Sequence, residues 1–521
     1  MADARNQALA VFQAYEPEPT EIVTYRSAGK LLALGDAAAL GRCAAFDGLD
    51  IETIEAEQGS ARVEGHLGAF RVQVNSADGA REYRGDAVLD LGATPLLNRE
   101  LPPPGYFHFT GDAWDDAARV AELGEELGAL TGEFQKPRYF DYDASICAHH
   151  VNGREVCRRC IDACPAEAII SIGERIEVDA NLCQGGGTCT TACPSGAIRY
   201  RYPSLRDNGK RLRRMLVAFR EAGGADPVVL FHAEHTDPAA YLELSEAVLP
   251  VALEELASVG PELWLSAIAY GARQVVLYLD DSVPPTSAVN LREQVGWMQE
   301  LLRALGLPAD CISLYADGDM PAEVTDAPTV TAAEYDMLPG KREGFMHALD
   351  HLVAQLRPAA DSVALAAPAP FGEAAIDAEK CTLCMACVGA CPGRALQDGS
   401  NREIPEVFFI ESNCLQCGAC VQTCPEDAIA LTPRLVFDAE ARNKSRALNQ
   451  DTPFGCISCG KPFAPASVIA KMQEKLKDHY MFSDSRALDR LKMCEDCRVV
   501  DIMQDPDAMG GQFDPGQGFR Q

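Results

Sequence analysis

Of the 21 cysteines in this chain, eight fall into two runs of a single pattern. One reads Cys381-x2-Cys384-x2-Cys387-x3-Cys391-Pro392, the other Cys414-x2-Cys417-x2-Cys420-x3-Cys424-Pro425. A cuboidal [4Fe-4S] cluster needs four thiolates aimed at a tetrahedron of irons. The tight x2-x2 loop supplies three, and the fourth cysteine of each run reaches the neighbouring cluster. Cluster C is therefore expected on Cys381, Cys384, Cys387 and Cys424, and cluster D on Cys414, Cys417, Cys420 and Cys391. Crossed ligation of this kind holds two clusters close enough for rapid electron transfer. Pro392 and Pro425 keep the chain from continuing as a helix, and the small Gly418 and Ala419 let backbone N–H groups approach sulfur, which stabilises a reduced cluster.

An earlier pair of runs departs from this pattern twice. Cys157-x2-Cys160-x3-Cys164-Pro165 supplies the last three positions, with Arg154 where the first cysteine is expected. Cys147 can substitute, looped back through the turn dipeptide Asn152-Gly153, so that cluster A uses Cys147, Cys157, Cys160 and Cys193. In Cys183-x5-Cys189-x3-Cys193-Pro194, Gly186 stands where the second cysteine belongs, leaving cluster B with Cys183, Cys189 and Cys164. Three thiolates suit a [3Fe-4S] cluster, or a [4Fe-4S] cluster with a solvent or non-cysteine ligand on its unique iron. His149 and His150 lie in the lengthened loop and are read as part of a solvated segment, with ligation as the alternative.

The last quartet, Cys456-x2-Cys459-Gly460 and Cys494-x2-Cys497, has the form of two knuckles gripping one ion across a helical stretch at 468–476. Four thiolates fit tetrahedral Zn²⁺, and Phe454, Gly460 and Phe463 suit a tight ligand turn with an aromatic lid. The gap between the knuckles exceeds the usual ribbon spacing, which keeps a fifth iron–sulfur cluster or a redox dithiol as alternatives. Cys43 and Cys311 sit beside apolar segments and read as core.

The elements that must position these cysteines are legible around them. Cys-Pro-x-x-Ala-(Ile/Leu) recurs at Cys164, Cys193, Cys391 and Cys424, in two close pairs, and marks two repeated modules. Ahead of the first, residues 30–36 (KLLALGD) read as a buried strand, 37–45 as a helix, and 49–55, 69–74 and 86–92 as strands. Between the modules, the runs 227–232, 274–280 and 311–316 alternate with helical segments, one carrying an apolar face at Val289, Val295, Met298, Leu302 and Leu305. That alternation predicts a parallel sheet. The apolar stretch 263–279 is broken by Arg273 and is too short to span a bilayer, so it reads as core. The Ala-Pro-rich residues 366–370 read as a linker. The expected fold class is multidomain α+β and α/β: an α/β domain over 1–136, modules over 137–203 and 371–433, an α/β domain over 204–365, and a zinc-knuckle-like domain over 450–521.

Composition narrows the function. Asp and Glu (77) outnumber Lys and Arg (46) in 521 residues, a formal charge of −31 that repels nucleic-acid phosphates and anionic membranes and suits docking to basic patches on protein redox partners. Residues 1–20 show no basic segment followed by an apolar one, and the clustered cysteines point to ligands in a reducing compartment, so a cytoplasmic protein is expected.

Both modules resemble bacterial two-cluster ferredoxins. Residues 60–100, with Val63-Glu64-Gly65-His66-Leu67-Gly68-Ala69-Phe70 and Asp86-Ala87-Val88-Leu89-Asp90-Leu91-Gly92, look like part of the flavoprotein subunit of heterodisulfide reductase, although no G-x-G-x-x-G follows the first strand. Residues 227–316 resemble the hydrogenase-type iron–sulfur delta subunit, but FHAEH at 231–235 and Leu279-Asp280-Asp281-Ser282 replace its cysteines, so the resemblance implies a docking domain without its own cluster. Together these imply a subunit relaying single electrons, itself without catalysis, in a formate dehydrogenase, hydrogenase or heterodisulfide-reductase-like system. A maturation factor for a metalloenzyme and a flavin- or NAD-linked oxidoreductase are the alternatives.

Overall fold

The computed structural model describes residues 2–46, 48–57, 59–76, 79–236, 244–316, 324, 326–399, 404–482 and 484–505. It divides into two compact units, residues 1–150 with 157–368, and residues 151–156 with 369–521. No helix among the described residues is long and apolar enough to cross a membrane.

The first unit opens with a parallel sheet in the order Ile51–Glu55, Leu31–Gly35, Ala87–Asp90, Tyr106–His108. Alternation along the second of these strands explains its complete burial. Leu31 and Ala33 face Leu123 and Leu127 of the helix Ala117–Gly128, while Leu32 and Leu34 face Val63, Phe70 and Val72 of an antiparallel three-stranded sheet. A strand covered on both faces must be apolar throughout, which is how KLLALGD reads. The helix expected over 37–45 is tightened after one turn, running as Ala37–Gly41 and then a 3-10 turn, Arg42–Ala45, that buries Cys43.

A second parallel sheet runs Val248–Leu253, Val228–Ala233, Gln274–Tyr278, Ile312–Tyr315, enclosed by long helices that include Pro261–Ala269 and Pro285–Ala304. Cys311 is buried here. The expected helix face needs one correction: Val289 is 52% exposed, and Leu291 is buried instead. Residues 291, 295, 298, 302 and 305 follow 4-3-4-3 spacing, whereas six residues separate 289 from 295, which carries Val289 about 120° around the helix. The N-terminal helix Ala2–Gln13 packs on Leu205–Glu221 of this region, with the Arg211 guanidinium 4.4 Å from the Phe12 ring and the Tyr15 hydroxyl donating to Asp207 at 2.7 Å.

The two modules share one plan. In the first, Phe140–Tyr142 pairs antiparallel with Ile198–Tyr200, and Ile169–Ile172 with Arg175–Val178. In the second, Gly372–Ile376 pairs with Ile429–Val436, and Leu396–Asp398 with Glu406–Phe409. The second unit adds a closed ring of charge. The carboxylate of Glu411, 5% exposed, accepts from Arg434 (2.7 and 2.8 Å) and Arg446 (2.8 Å), and both arginines also pair with Glu373 (2.7 and 2.8 Å). Burial opposes ionisation of Glu411, but its hydrogen bonds from Arg434 and Arg446 outweigh it and hold the carboxyl below the usual range. A depressed carboxyl contributes stability above its unfolded value, near 4.3, that is lost as pH falls through the folded one. Glu411→Gln should cost the second unit about 2 kcal/mol at pH 7, below the range for fully buried pairs because the arginines remain about one-third exposed. In urea denaturation the gap between native and variant should close as the solution is acidified; a gap independent of pH would contradict the assignment.

Candidate iron–sulfur and metal sites

In the second module the tight cysteine loops are shaped by backbone rarely used outside glycine. Leu383 and Met385, and at matching positions Gln416 and Gly418, all have positive φ (53°, 59°, 51° and 85°). This turns successive N–H groups inward between the cysteines. Leu383 N–H donates to the Cys381 sulfur at 3.4 Å, the Gln416 side-chain amide to Cys414 at 3.3 Å, and Ala395 and Ala428 N–H to Cys391 and Cys424 at 3.2 and 3.3 Å. The third residue after each proline-linked cysteine repeats the device: Glu167, Gly196, Arg394 and Asp427 all have positive φ.

These loops line two small, partly open cavities. One is lined by Cys381, Cys384, Cys387 and Cys424, the other by Cys391, Cys414, Cys417 and Cys420. These are the sets expected for clusters C and D. Burial pushes Cys387 up to about 11, and its neighbours Cys381, Cys384 and Cys424 push the same way; burial followed by Cys417, Cys414 and Cys391 takes Cys420 to about 12. Thiols so crowded keep their protons unless a cation holds them as thiolates. The chemistry and shape of both donor sets fit a cuboidal cluster.

In the first module, burial raises the Cys160 thiol, and Cys193, Cys157 and Cys147 lie close enough to raise it further, so the residues expected for cluster A stand together. Cys147 is positioned by the turn anticipated from Asn152 and Gly153, whose φ values are 50° and 80°. His149 corrects the expectation of a solvated loop. It is 1% exposed, with Nδ1 2.8 Å from the Cys157 carbonyl oxygen and Nε2 2.8 Å from the Ser171 hydroxyl, so it anchors the loop through both ring nitrogens. Arg154 donates to the carbonyl of Gln422 at 2.7 Å.

Cys183, Cys189 and Cys164 also converge. Burial drives Cys189 well above its ordinary value, with Cys164 and Cys183 the next contributors. Gly185 and Gly187 have φ of 83° and 74°, matching Leu383 and Met385, so the cradle survives where the cysteine is missing. At Gly186 an added Cβ would meet only the Pro165 ring at 3.7 Å and a Leu101 methyl at 4.0 Å, ordinary contact distances. Leu101 is pinned there by its N–H to the Pro165 carbonyl (3.1 Å) and by Gln184, which donates to the Leu101 and Pro102 carbonyls (3.1 and 2.7 Å). Gly186→Cys should therefore fold, complete the four-thiolate set, add about one iron per chain if the native cluster holds three, and change the paramagnetic resonance spectrum of the oxidised protein. An unchanged spectrum would rule out a three-thiolate cluster here.

The C-terminal quartet is tighter. The sulfurs of Cys456, Cys459, Cys494 and Cys497 lie within 4.8 Å of one another, with Cys459 and Cys494 3.8 Å apart. Zn–S bonds of ~2.3 Å give a tetrahedral edge of about 3.8 Å, so the set fits one Zn²⁺, whereas a cuboidal cluster spreads its thiolates over four separate irons. Cys456 and Cys459 lie on the turn between Pro453–Gly455 and Pro462–Pro465, closed by the Gly460 N–H on the Cys456 carbonyl (2.8 Å). Cys494 and Cys497 sit at the start of the helix Glu495–Met503, whose N-terminal dipole favours anionic sulfur. Burial works against ionisation of Cys456, but backbone N–H groups of Cys494, Cys459 and Ser458 outweigh it and bring the thiol down to about 6. Phe454 and Phe463 meet edge to face at 6.2 Å beside this turn.

At the end of the strand Leu31–Gly35, the Asp36 carboxylate caps the helix Ala37–Gly41 by accepting the Ala39 N–H at 2.8 Å, the kind of N-terminal donor that a diphosphate takes in dinucleotide-binding folds.

Comparison with known proteins agrees with this geometry. Residues 379–429 match a 4Fe-4S dicluster domain, and residues 176–199 match a 4Fe-4S binding domain. No curated protein matches the chain. The chain is thus an iron–sulfur protein with ferredoxin-type 4Fe-4S domains, and such domains suggest electron transfer and redox partners.

Proposed function

We propose that this chain relays single electrons between protein redox partners as a non-catalytic subunit of a larger oxidoreductase system. Its first module would hold a [4Fe-4S] cluster on Cys147, Cys157, Cys160 and Cys193 and a three-thiolate cluster on Cys183, Cys189 and Cys164. Two further [4Fe-4S] clusters belong to the second module, and the C-terminal cysteines hold structural zinc. The observation that carries this reading is the recurrence of one cradle, inward-turned backbone around crowded buried thiols, in the loops that begin at Cys183, Cys381 and Cys414. Bound clusters of this kind exchange one electron at a time; the protein's part is to fix the thiolates, donate N–H groups to sulfur and exclude water. The cysteine usage favours the cytoplasm, and the acidic composition favours basic docking faces over membranes or nucleic acid.

The resemblance to heterodisulfide reductase and hydrogenase subunits read from the sequence of residues 60–100 and 227–316 favours a relay in such a system or beside a formate dehydrogenase. Anaerobic affinity purification from the native host at low salt tests this. Recovery of a molybdenum, tungsten or nickel oxidoreductase in fixed stoichiometry is the expected result. Recovery of chaperones and cofactor-insertion proteins alone would replace it with a maturation role.

A further inference from the structure

We infer that Lys136 and Lys341 raise the reduction potentials of the first module's clusters, each by holding its ammonium on the backbone carbonyl of a ligand cysteine. The inference rests on the ligand sets proposed above. Lys136, on the strand Gly132–Pro137, donates to the carbonyls of Asn181 (3.0 Å) and Cys183 (2.5 Å) while its ammonium lies 4.9 Å from the centre of the Tyr25 ring. The Tyr25 hydroxyl donates to the same Asn181 carbonyl at 2.5 Å, so the aromatic wall and the lysine are locked together. Lys341, the first residue of the helix Lys341–Leu356, donates to the carbonyls of Thr190 (2.9 Å), Thr191 (2.5 Å) and Cys193 (3.0 Å). Those carbonyls end the short helix Thr188–Ala192, which carries Cys189. All three ammonium protons of Lys341 are thereby used.

A neutral donor would satisfy the same carbonyls without the cost of desolvating a cation. What the charge adds is electrostatic. Reducing a cluster adds one negative charge, and a positive charge fixed on the backbone of a ligand cysteine, partly shielded from water, favours that state. The two lysines address different clusters: Lys136 acts through Cys183 on the three-thiolate site, and Lys341 acts through Cys193 on the four-thiolate site.

The test is a dithionite titration of the full chain, purified anaerobically and followed by paramagnetic resonance, with iron measured on each sample. Dithionite supplies one electron per cluster, and no bond forms or breaks. Lys136→Met and Lys136→Gln should keep full iron yet shift the reduction equilibrium of the three-thiolate cluster at least tenfold toward the oxidised form, about 59 mV for a one-electron couple. Lys341→Met should do the same for its partner cluster. Arginine at either position should stay near the native value, and the second module's signals serve as an unmoved internal reference. Unchanged midpoints at full iron, or loss of iron in both the Met and Gln variants, would overturn the inference by reducing the lysines to structural caps. A native first module that binds no iron would instead strike the ligand assignment beneath it.

Discussion

Cys417→Ala should lower bound iron by about four per chain and abolish electron transfer through the second module. The expectation follows from how the corner is built. Gln416 and Gly418, both at positive φ, hold the Cys417 sulfur over the same cavity as Cys391, Cys414 and Cys420. Cys417 is only partly buried, so its loss opens the corner to water. Once iron leaves, burial and mutual repulsion return the remaining thiols to their protonated state, as the value of about 12 at Cys420 indicates. The apolar lining of Leu396, Phe409, Leu415 and Leu431 then faces an empty space, and the module should lose stability along with its metal. Iron analysis and the visible absorbance of the purified variant check this. A loss of about one iron would mean that three thiolates suffice in this cradle, and unchanged iron would remove Cys417 from the ligand set.

The cysteine spacing made these sites legible because thiolate chemistry leaves little freedom: the tight x2-x2 loop must turn its sulfurs inward, and proline must follow the fourth. The strands were readable for a related reason. In KLLALGD and in the run 227–232, burial on both faces forces an unbroken apolar segment, which no surface element imitates. Where two residues of the same type compete for a helix face, as Val289 and Leu291 do, hydrophobicity alone does not choose between them, and the phase of the helix decides. The positive φ of Leu383, Met385 and Gln416 left no trace in composition, since the constraint comes from the cradle and not from the residue. The Gly185-Gly186-Gly187 run, like Gly418, showed the backbone requirement in the sequence, but there it read first as a missing cysteine. His149 was illegible for a different reason: its two partners, the Cys157 carbonyl and Ser171, are brought to it only by the fold.

Removing the C-terminal ion should unfold the segment that holds it while leaving the first unit intact. The buried apolar residues described between 453 and 505 are few: Ile469 and Leu491, beside the proposed ligands Cys456 and Cys494. A core that small falls short of the entropy of ordering about fifty residues, and domains of this size depend on a metal or disulfide staple. The Arg486 and Arg490 pairs to Asp501 (3.0 and 2.7 Å) and the Ile457 N–H to the Lys492 carbonyl (3.1 Å) fix the relative placement of the two knuckles, but partly exposed ion pairs contribute little by themselves. Metal binding must supply most of the stability, on the order of 10 kcal/mol for zinc on such sets. Cys494→Ala should therefore release about one zinc per chain and make 453–505 sensitive to protease, with iron content unchanged. Acid should act in the same direction: thiolates compete with protons for the metal, so zinc retention should fall as pH drops. If the variant keeps its zinc, or loses iron in its place, the quartet is serving a cluster and the tetrahedral assignment fails.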